Sequence, residues 1–554
     1  VHSIFDYRRK YLPTANTLYH TPARFDEITI ERIQRYAEQI FRIFGMRDFA
    51  RIDGWCMPDG RIYFSDMNPI SGMEQNSFLF RQAALAGLSH RATFRQILSS
   101  ACQRYGIQFP EEAPQKAVRE PVYVLMGAGT AERQVSLMSG TNVWLKLKQS
   151  ERFTPSPFLL APDGKVWPLP YHYALNHTVE EVWANCKESA EQKSRTQRLL
   201  IKLHEHCGQS LPTDIQELHT QPMTLEAFCD NVRETGAFAF IALHGGAGEN
   251  GTVQALFDAK EISYNGSGAA ASALSMDKLR SGEKIRLAAL PDITALPKIS
   301  IQSQELRALD EGSAEVLWKH ITDTFKTQTC IIKPRADGCS AGIVTLSNAR
   351  DLMRYGDCIQ QEATWVEANT FANQPHPVEM PPNVNTDFLF EPYIKTDSIQ
   401  VEGLELKHRS DTGWIELTIG YIENEGQYHA LSPSITVANG AVLTLEEKFQ
   451  GGTGVNMTPP PACLLNEAQI NKVKTAIEKM AAVLELRNYG RIDIFFNRLN
   501  NELIFIEANT LPGLTPSTVI YHQALAERPA MTPKVFLESL IDAAQKAAQL
   551  TAAQ

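Results

Sequence analysis

Residues 491–518 read RIDIFFNRLNNELIFIEANTLPGLTPST. Two apolar runs, 489–496 and 502–509, flank a polar turn, the pattern of an antiparallel strand pair. Residues two apart in a strand share a face, so Glu507 and Asn509 project together. Ile504, Ile506 and Ala508 are expected to face a core, and Asp493 on the partner strand can reach the two polar groups. Two carboxylates and an amide oxygen form an all-oxygen set suited to Mg²⁺, whose shell is completed by water and nucleotide phosphates. The plainer reading, a surface hairpin with incidental acids, fits less well with an acid–x–Asn step set beside Pro512 and Gly513.

The same pattern occurs near the other end of the chain. RDFARIDGW and IYFSDMNPISGMEQNS repeat RNYGRIDIFF and LIFIEANTLPGLTPST. Arg51 and Asp53 stand 440 residues before Arg491 and Asp493, while Asp66, Asn68, Gly72 and Ser77 stand 441 before Glu507, Asn509, Gly513 and Thr518. An amphipathic helix precedes each hairpin, with Ile33, Tyr36, Ala37, Ile40 and Phe44 at helical spacing in the first and Val473, Ile477, Met480 and Leu484 in the second. Asn466 and Gln469 read as a capping box for the second helix. An internal repeat of this kind marks a duplicated unit. Residues 1–115 are therefore expected to be the C-terminal part of a first, truncated copy.

The bulk numbers set limits. A chain of 554 residues suggests three or four domains. A formal net charge of −10 argues against a general nucleic-acid binder. The nine cysteines form no CxxC pair, which disfavours a disulfide scaffold or a structural zinc site. No apolar run reaches the ~20 residues needed to span a bilayer. Strand patterns VYVLMG (122–127) and FAFIALHGG, alternating with helical runs, argue for an α/β architecture. Residues 150–235 carry no readable motif.

Two further stretches carry chemistry. In CIIKPRADGCSAGIVTL (330–346) two β-runs flank a Gly-x-x-x-Gly turn, with Lys333 closing the first run. Backbone N–H groups in such a loop can approach phosphate oxygens while the lysine supplies charge. Alone it reads more simply as a β-hairpin. The other stretch, HGGAGENGTVQALFDAKEISYNGSGAAASALSMDK (244–278), resembles the first signature of the D-alanine–D-alanine ligase family, with Asn250 in place of an aspartate. VLMGAGTAERQVSLMSG resembles that family's N-terminal strand and loop, and the RID–EAN–PG stretch its second signature. The matches run in order from about 121 to 545, and FDYRRKYL (5–12) resembles the family's loop carrying Lys-Tyr, here Lys10 and Tyr11.

The resemblance implies an α/β ATP-grasp ligase with an N-terminal Rossmann-like subdomain. Its expected divisions are a substrate subdomain at 120–275, a central subdomain at 276–395 and a C-terminal subdomain at 396–548, preceded by the partial copy. ATP and Mg²⁺ or Mn²⁺, as two ions, are the implied cofactors, with the metal on Asp493, Glu507 and Asn509. Lys278 and Lys333 would contact phosphates, Glu391, Tyr393 and Ile394 the adenine, and Glu416 the ribose. Pro392 stands where the family has a lysine, and 397–412 reads as an insertion. Lys448 would reach the γ-phosphate, Arg491 and the Gly513 N–H would face the developing oxyanion, and Glu132 would hold the first substrate's ammonium. His244, Cys339, Ser340, Phe449 and Thr518 would line the substrate pocket. Cys339 and Phe449 depart from the serine and tyrosine of dipeptide-forming members, and phenylalanine resembles members that use D-lactate. The implied reaction joins D-alanine to a second D-alanine through an acyl phosphate for peptidoglycan precursors, with D-lactate as the alternative second substrate and a silent nucleotide-binding module as a further one. Small-molecule substrates are the implied partners, with no nucleic acid and no membrane. A homodimer and pairing between tandem copies stay open. The expected location is the cytoplasm, or a plastid in a plant.

Overall fold

The computed structural model describes residues 19–110, 118–207, 219–336, 341–381, 384, 386–402, 405–437 and 455–553. The chain divides into two compact units, one of residues 1–119 and 156–228, the other of 120–155 and 229–554.

In the first unit the helix Glu27–Ile43 is capped by Asp26, whose carboxylate accepts from the Thr29 N–H at 2.7 Å. The strands Arg51–Cys56 and Ile62–Asn68 pair antiparallel, and the helices Phe78–Leu85 and His90–Tyr105 follow. Residues 156–228, which carried no motif, pack against these elements. Arg81 donates to Glu181 at 2.7 Å and to Asn176 at 2.9 Å, with both charged side chains under 4% exposed. Burying an ion pair this deeply requires such close partnering, because each charge loses its hydration. Around it, the long helix Val179–Cys207 holds Glu27 through Arg198 and Lys202.

Among the described residues the second unit carries three larger sheets beside two-stranded ones. The strands Glu120–Gly127 and Phe238–Ile241 pair in parallel and are almost wholly buried, as a strand covered on both faces requires. A four-stranded antiparallel sheet runs in the order Val344–Leu346, Cys330–Pro334, Phe388–Pro392, Ile299–Ile301. One face of it, with Cys330, Ile332, Phe388 and Phe390, closes on the helices around Leu352, Tyr355 and Ile321. A five-stranded sheet runs in the order Gln427–Ala430, Trp414–Asn424, Tyr489–Asn497, Leu503–Asn509, Ile293–Ala295. Its core face, with Leu417, Ile419, Ile492 and Ile494, packs on the helix Glu467–Val483 through Val473, Ile477 and Met480. The Asn466–Gln469 capping box is present in both directions. The segment read as an insertion forms its own hairpin, Ser398–Glu402 with Glu405–Arg409.

Strand alternation differs from the expectation at one point. A register shift lies opposite the Asp493–Ile494 step, where Asp493 pairs with Glu507 but Ile494 pairs with Phe505. Ile506 is the extra residue, and an extra residue reverses which side chains face the core. Leu503 and Phe505 therefore join this core cluster with Ala508, while Ile504, itself buried, and the partly buried Ile506 lie outside it.

Candidate functional site

The bulge gives the five-stranded sheet a polar face at one end. Antiparallel partners share a face, and the register pairs Thr418 with Asp493, Asp493 with Glu507, Gly420 with Arg491 and Arg491 with Asn509. Arg491 donates to both oxygens of Asp493, at 3.2 Å from Nε and 3.0 Å from Nη2, and the Thr418 hydroxyl donates to Asp493 at 2.8 Å. Burial works against the Arg491 guanidinium, but Asp493 and Glu507 outweigh it and hold its pKa above the ordinary value. The ammonium of Lys278 lies 3.3 Å from Glu507. Lys278 begins the helix Lys278–Leu287, which Asp277 caps by accepting from the Leu279 and Arg280 N–H groups. Arg335 fixes that start, pairing with Asp277 at 2.8 Å while its carbonyl accepts from the Lys278 N–H.

These groups fit a divalent cation. The two carboxylates stand at one register position beside an asparagine whose buried Nδ2 has no hydrogen-bond partner among the described residues. Lys278 and Arg491 now supply the countercharge that a bound cation would supply. Among the described residues no group of three His, Cys, Asp or Glu side chains forms a metal cluster.

On the neighbouring sheet Lys333 and Glu391 share the face opposite its core and pair at 2.8 Å. Lys298, which sequence reading passed over, lies 3.1 Å from the other Glu391 oxygen. Burial raises the cost of the Glu391 carboxylate, yet Lys333 and Lys298 hold its pKa below the usual range. Tyr393 and Ile394 follow the end of this strand, Tyr393 being 42% exposed. Glu416 sits opposite Phe495 on the five-stranded sheet, on the face that carries Asp493.

A third group lies at the mouth of the parallel strand pair. Buried Glu132 precedes the helix Arg133–Leu147. Its Oε2 would be 2.9 Å from a Cβ at Gly245, whose φ of +69° also favours glycine. The His244 Nε2 meets the Ser139 hydroxyl at 3.0 Å, and that oxygen accepts from the Leu514 N–H at 3.0 Å. Asn142 donates to the Leu514 carbonyl at 2.9 Å. The loop around Gly513 is thus tied to the helix that follows Glu132. Thr518 donates to the Gly513 carbonyl at 2.6 Å.

The structure therefore gathers Lys278, Arg491, Asp493, Glu507 and Asn509, a second group of Lys333 and Glu391, and a third in which Glu132 neighbours Gly245 and His244 is tied to the Gly513–Thr518 loop. Cys339, Ser340, Lys448, Phe449, Lys10 and Tyr11 lie outside the described residues. Sequence reading missed Lys298 and Thr418, which stand in no motif, and gave no role to Ser139, Asp277 or Arg335, although each lies within one of the quoted stretches.

Comparison with known proteins gives two family matches. The model described as D-ala D-ala ligase N-terminus matches residues 121–267, and that described as D-ala D-ala ligase C-terminus matches 1–99 and 412–542. A D-alanine–D-alanine ligase of Pediococcus pentosaceus is 26% identical over 77% of this chain and 97% of its own length. One from Lacticaseibacillus casei is 26% identical over 73% of this chain and 91% of its own. Among solved structures, the VanG D-Ala:D-Ser ligase of Enterococcus faecalis matches with a TM-score of 0.51 and 16% identity, covering 77% of this chain and all of that one. The D-alanine–D-alanine ligase of Coxiella burnetii matches at 0.50 and 15% identity, over 78% and 97%. At these identities the two structures speak for the fold, an ATP-grasp architecture. No helix among the described residues is long and apolar enough to cross a membrane.

Proposed function

The chain belongs to the D-alanine–D-alanine ligase family, and we propose that it joins D-alanine to a second D-alanine at the expense of ATP. The observation that carries this reading is the single face holding Arg491, Asp493, Glu507 and Asn509, with Lys278 beside Glu507. The working parts are the substrate subdomain 120–275, the central subdomain 276–395 and the C-terminal subdomain 396–548.

Asp493, Glu507 and Asn509 would hold Mg²⁺ or Mn²⁺, as two ions, whose charge would neutralise the β- and γ-phosphates when bound. Lys278 and Lys333 would supply positive charge to the phosphates. Glu391, Tyr393 and Ile394 take the adenine, and Glu416 the ribose. Glu132 fixes the first substrate by its ammonium, so that its carboxylate meets the γ-phosphorus in line. Attack forms an acyl phosphate and releases ADP. The amine of the second D-alanine, whose carboxylate Thr518 receives, then attacks the acyl carbon. The tetrahedral oxyanion falls between the Arg491 guanidinium and the Gly513 N–H, donors already held in place before charge develops. Collapse expels phosphate, and the amine loses its proton. His244 acts through Ser139, keeping the Gly513 loop in register with the pocket. Work on a peptidoglycan precursor places the enzyme in the cytoplasm.

The deciding experiment is phosphate release from Mg-ATP with D-alanine alone, and with D-alanine plus D-lactate, the products identified by mass. Dipeptide from D-alanine alone supports the reading. An ester formed only with D-lactate would shift the substrate to the hydroxy acid suggested by Phe449. No phosphate release with either mixture would sink it.

A further inference from the structure

Lys298 holds an unusual position. It immediately precedes the strand Ile299–Ile301, which pairs antiparallel with Phe388–Phe390. Continuing that register by one step sets Lys298 opposite Glu391, on the face turned away from the hydrophobic core. Its side chain is 3% exposed, those of Lys333 and Glu391 7% each. Two buried ammonium groups thus share one carboxylate, and Lys278 adds its positive field at Lys298. A buried charge that is only half compensated is costly and calls for a further anion.

The neighbouring helix is shaped around this ammonium. Gly282 lies inside Lys278–Leu287, where glycine is a poor helix former. A Cβ there would lie 2.8 Å from the Lys298 Nζ and 3.6 Å from its Cε. Gly282 has no left-handed backbone to explain it, since its φ is not among the positive values. The missing side chain clears the space that the ammonium fills, one turn along the helix from Lys278.

We propose that Lys298 is a nucleotide-binding residue, its ammonium donating to the polyphosphate alongside Lys278 and Lys333, with Gly282 keeping the space open for it. The inference rests on the ATP reading and adds a ligand that no motif marks. Glu391 orients the ammonium from one side and the glycine face of the helix leaves the other side to the phosphates.

The test is calorimetric titration of the full chain with MgADP and, separately, with adenosine. Lys298→Met should weaken MgADP by about tenfold or more, the worth of one charge-assisted hydrogen bond, and leave adenosine binding unchanged. Lys298→Arg should recover part of the loss. Gly282→Ala, which favours the helix and should not lower the melting temperature, should weaken MgADP in the same direction by displacing the ammonium. It serves independently if Lys298→Met folds poorly. Equal losses for MgADP and adenosine would make Lys298 a mere buttress of Glu391 and overturn the proposal, as would unchanged MgADP affinity in the variants. Wild-type protein that bound no MgADP would sink the ATP reading itself, whereas wild-type binding with unaffected variants would sink this inference alone.

Discussion

The hairpins Arg51–Asn68 and Arg491–Asn509 are built alike and supported differently. In each, the arginine pairs with the asparagine across the strands and the first aspartate with the second acid, and in each the register slips just after that aspartate. Arg51 contacts Asp53 at 3.1 Å as Arg491 contacts Asp493 at 3.0 Å. Even the following helices start alike, with the Ser77 N–H donating to the Glu74 carbonyl and the Thr518 N–H to that of Thr515. The support is where they part. Glu467–Val483 buries five apolar or small residues against a five-stranded sheet, whereas Glu27–Ile43 buries none against a two-stranded one. Trp55 is 63% exposed and Ile43 79%. Short-range sequence sets register and bulge, but a core needs neighbouring strands, which the second copy has in Trp414–Asn424 and Ile293–Ala295.

The comparison can be broken most forcefully at the acids. Glu507→Gln should lower the rate of D-alanine-dependent phosphate release by about 10²–10³-fold, because the site loses charge aimed at the phosphates. Asp66→Asn, at the matching position, should leave it unchanged, since that hairpin forms a two-stranded sheet of its own and not part of the five-stranded sheet that carries Glu507. A similar loss in both would mean that the first hairpin takes part in turnover.

The next effect concerns the buried ion pair of the first unit. Glu181→Gln strands the buried Arg81 charge and should cost about 3–5 kcal/mol in urea unfolding. A loss below about 1 kcal/mol, the range of a surface pair, would show that the ion pair does not hold the unit together.

Helix faces give a smaller contrast. Met480 is fully buried, and Met480→Ala should cost about 2–5 kcal/mol. The matching Ile40→Ala should cost about 1 kcal/mol or less, because its side chain already meets water. Equal costs would imply that the first helix is covered in solution.

Acid should separate the two units most gently. Burial lowers the pKa of His172 to about 4, and burial with Arg81 nearby does the same for His177, from 6.5. The unfolded chain then binds more protons between these values, so stability of the first unit falls as pH drops from 6.5 towards 4. In the second unit burial opposes the charge of Asp397 and Glu527, but hydrogen bonds from backbone amides and His408, and from His429, Ser432 and Lys474, depress both to about 2. Their stabilisation is present above 3.8 and 4.5 and is lost only as pH falls through about 2. Circular dichroism between pH 7 and 2 should show loss in two stages; a single stage near pH 3 would contradict the assignment.

Much of this site could be read from the chain. Asp493, Glu507, Asn509 and Arg491 lie within one hairpin, so strand periodicity alone brought them together. Lys278 and Lys333 were carried by resemblance to a known signature and a glycine-containing turn. Lys298 was not legible, because a lone lysine before a three-residue strand has no pattern and its partner Glu391 lies far along the chain. The Ile506 bulge was hidden for a related reason: two alternations of Ile, Phe and Ala are equally apolar, and only the partner strand decides between them.

By itself the sequence determined the Asn466 capping box, the two hairpins and the acids that suit a metal, all consequences of spacing within about twenty residues, and the duplication, read from the recurrence of that pattern 440 residues apart. The tertiary structure decided which face of each strand is buried, which lysines gather around Glu391, and that residues 156–228 complete the first unit through Arg81 and Glu181. Such pairings depend on burial of charges from distant segments, and the cost of leaving them unpaired is set by their surroundings rather than by their neighbours in sequence.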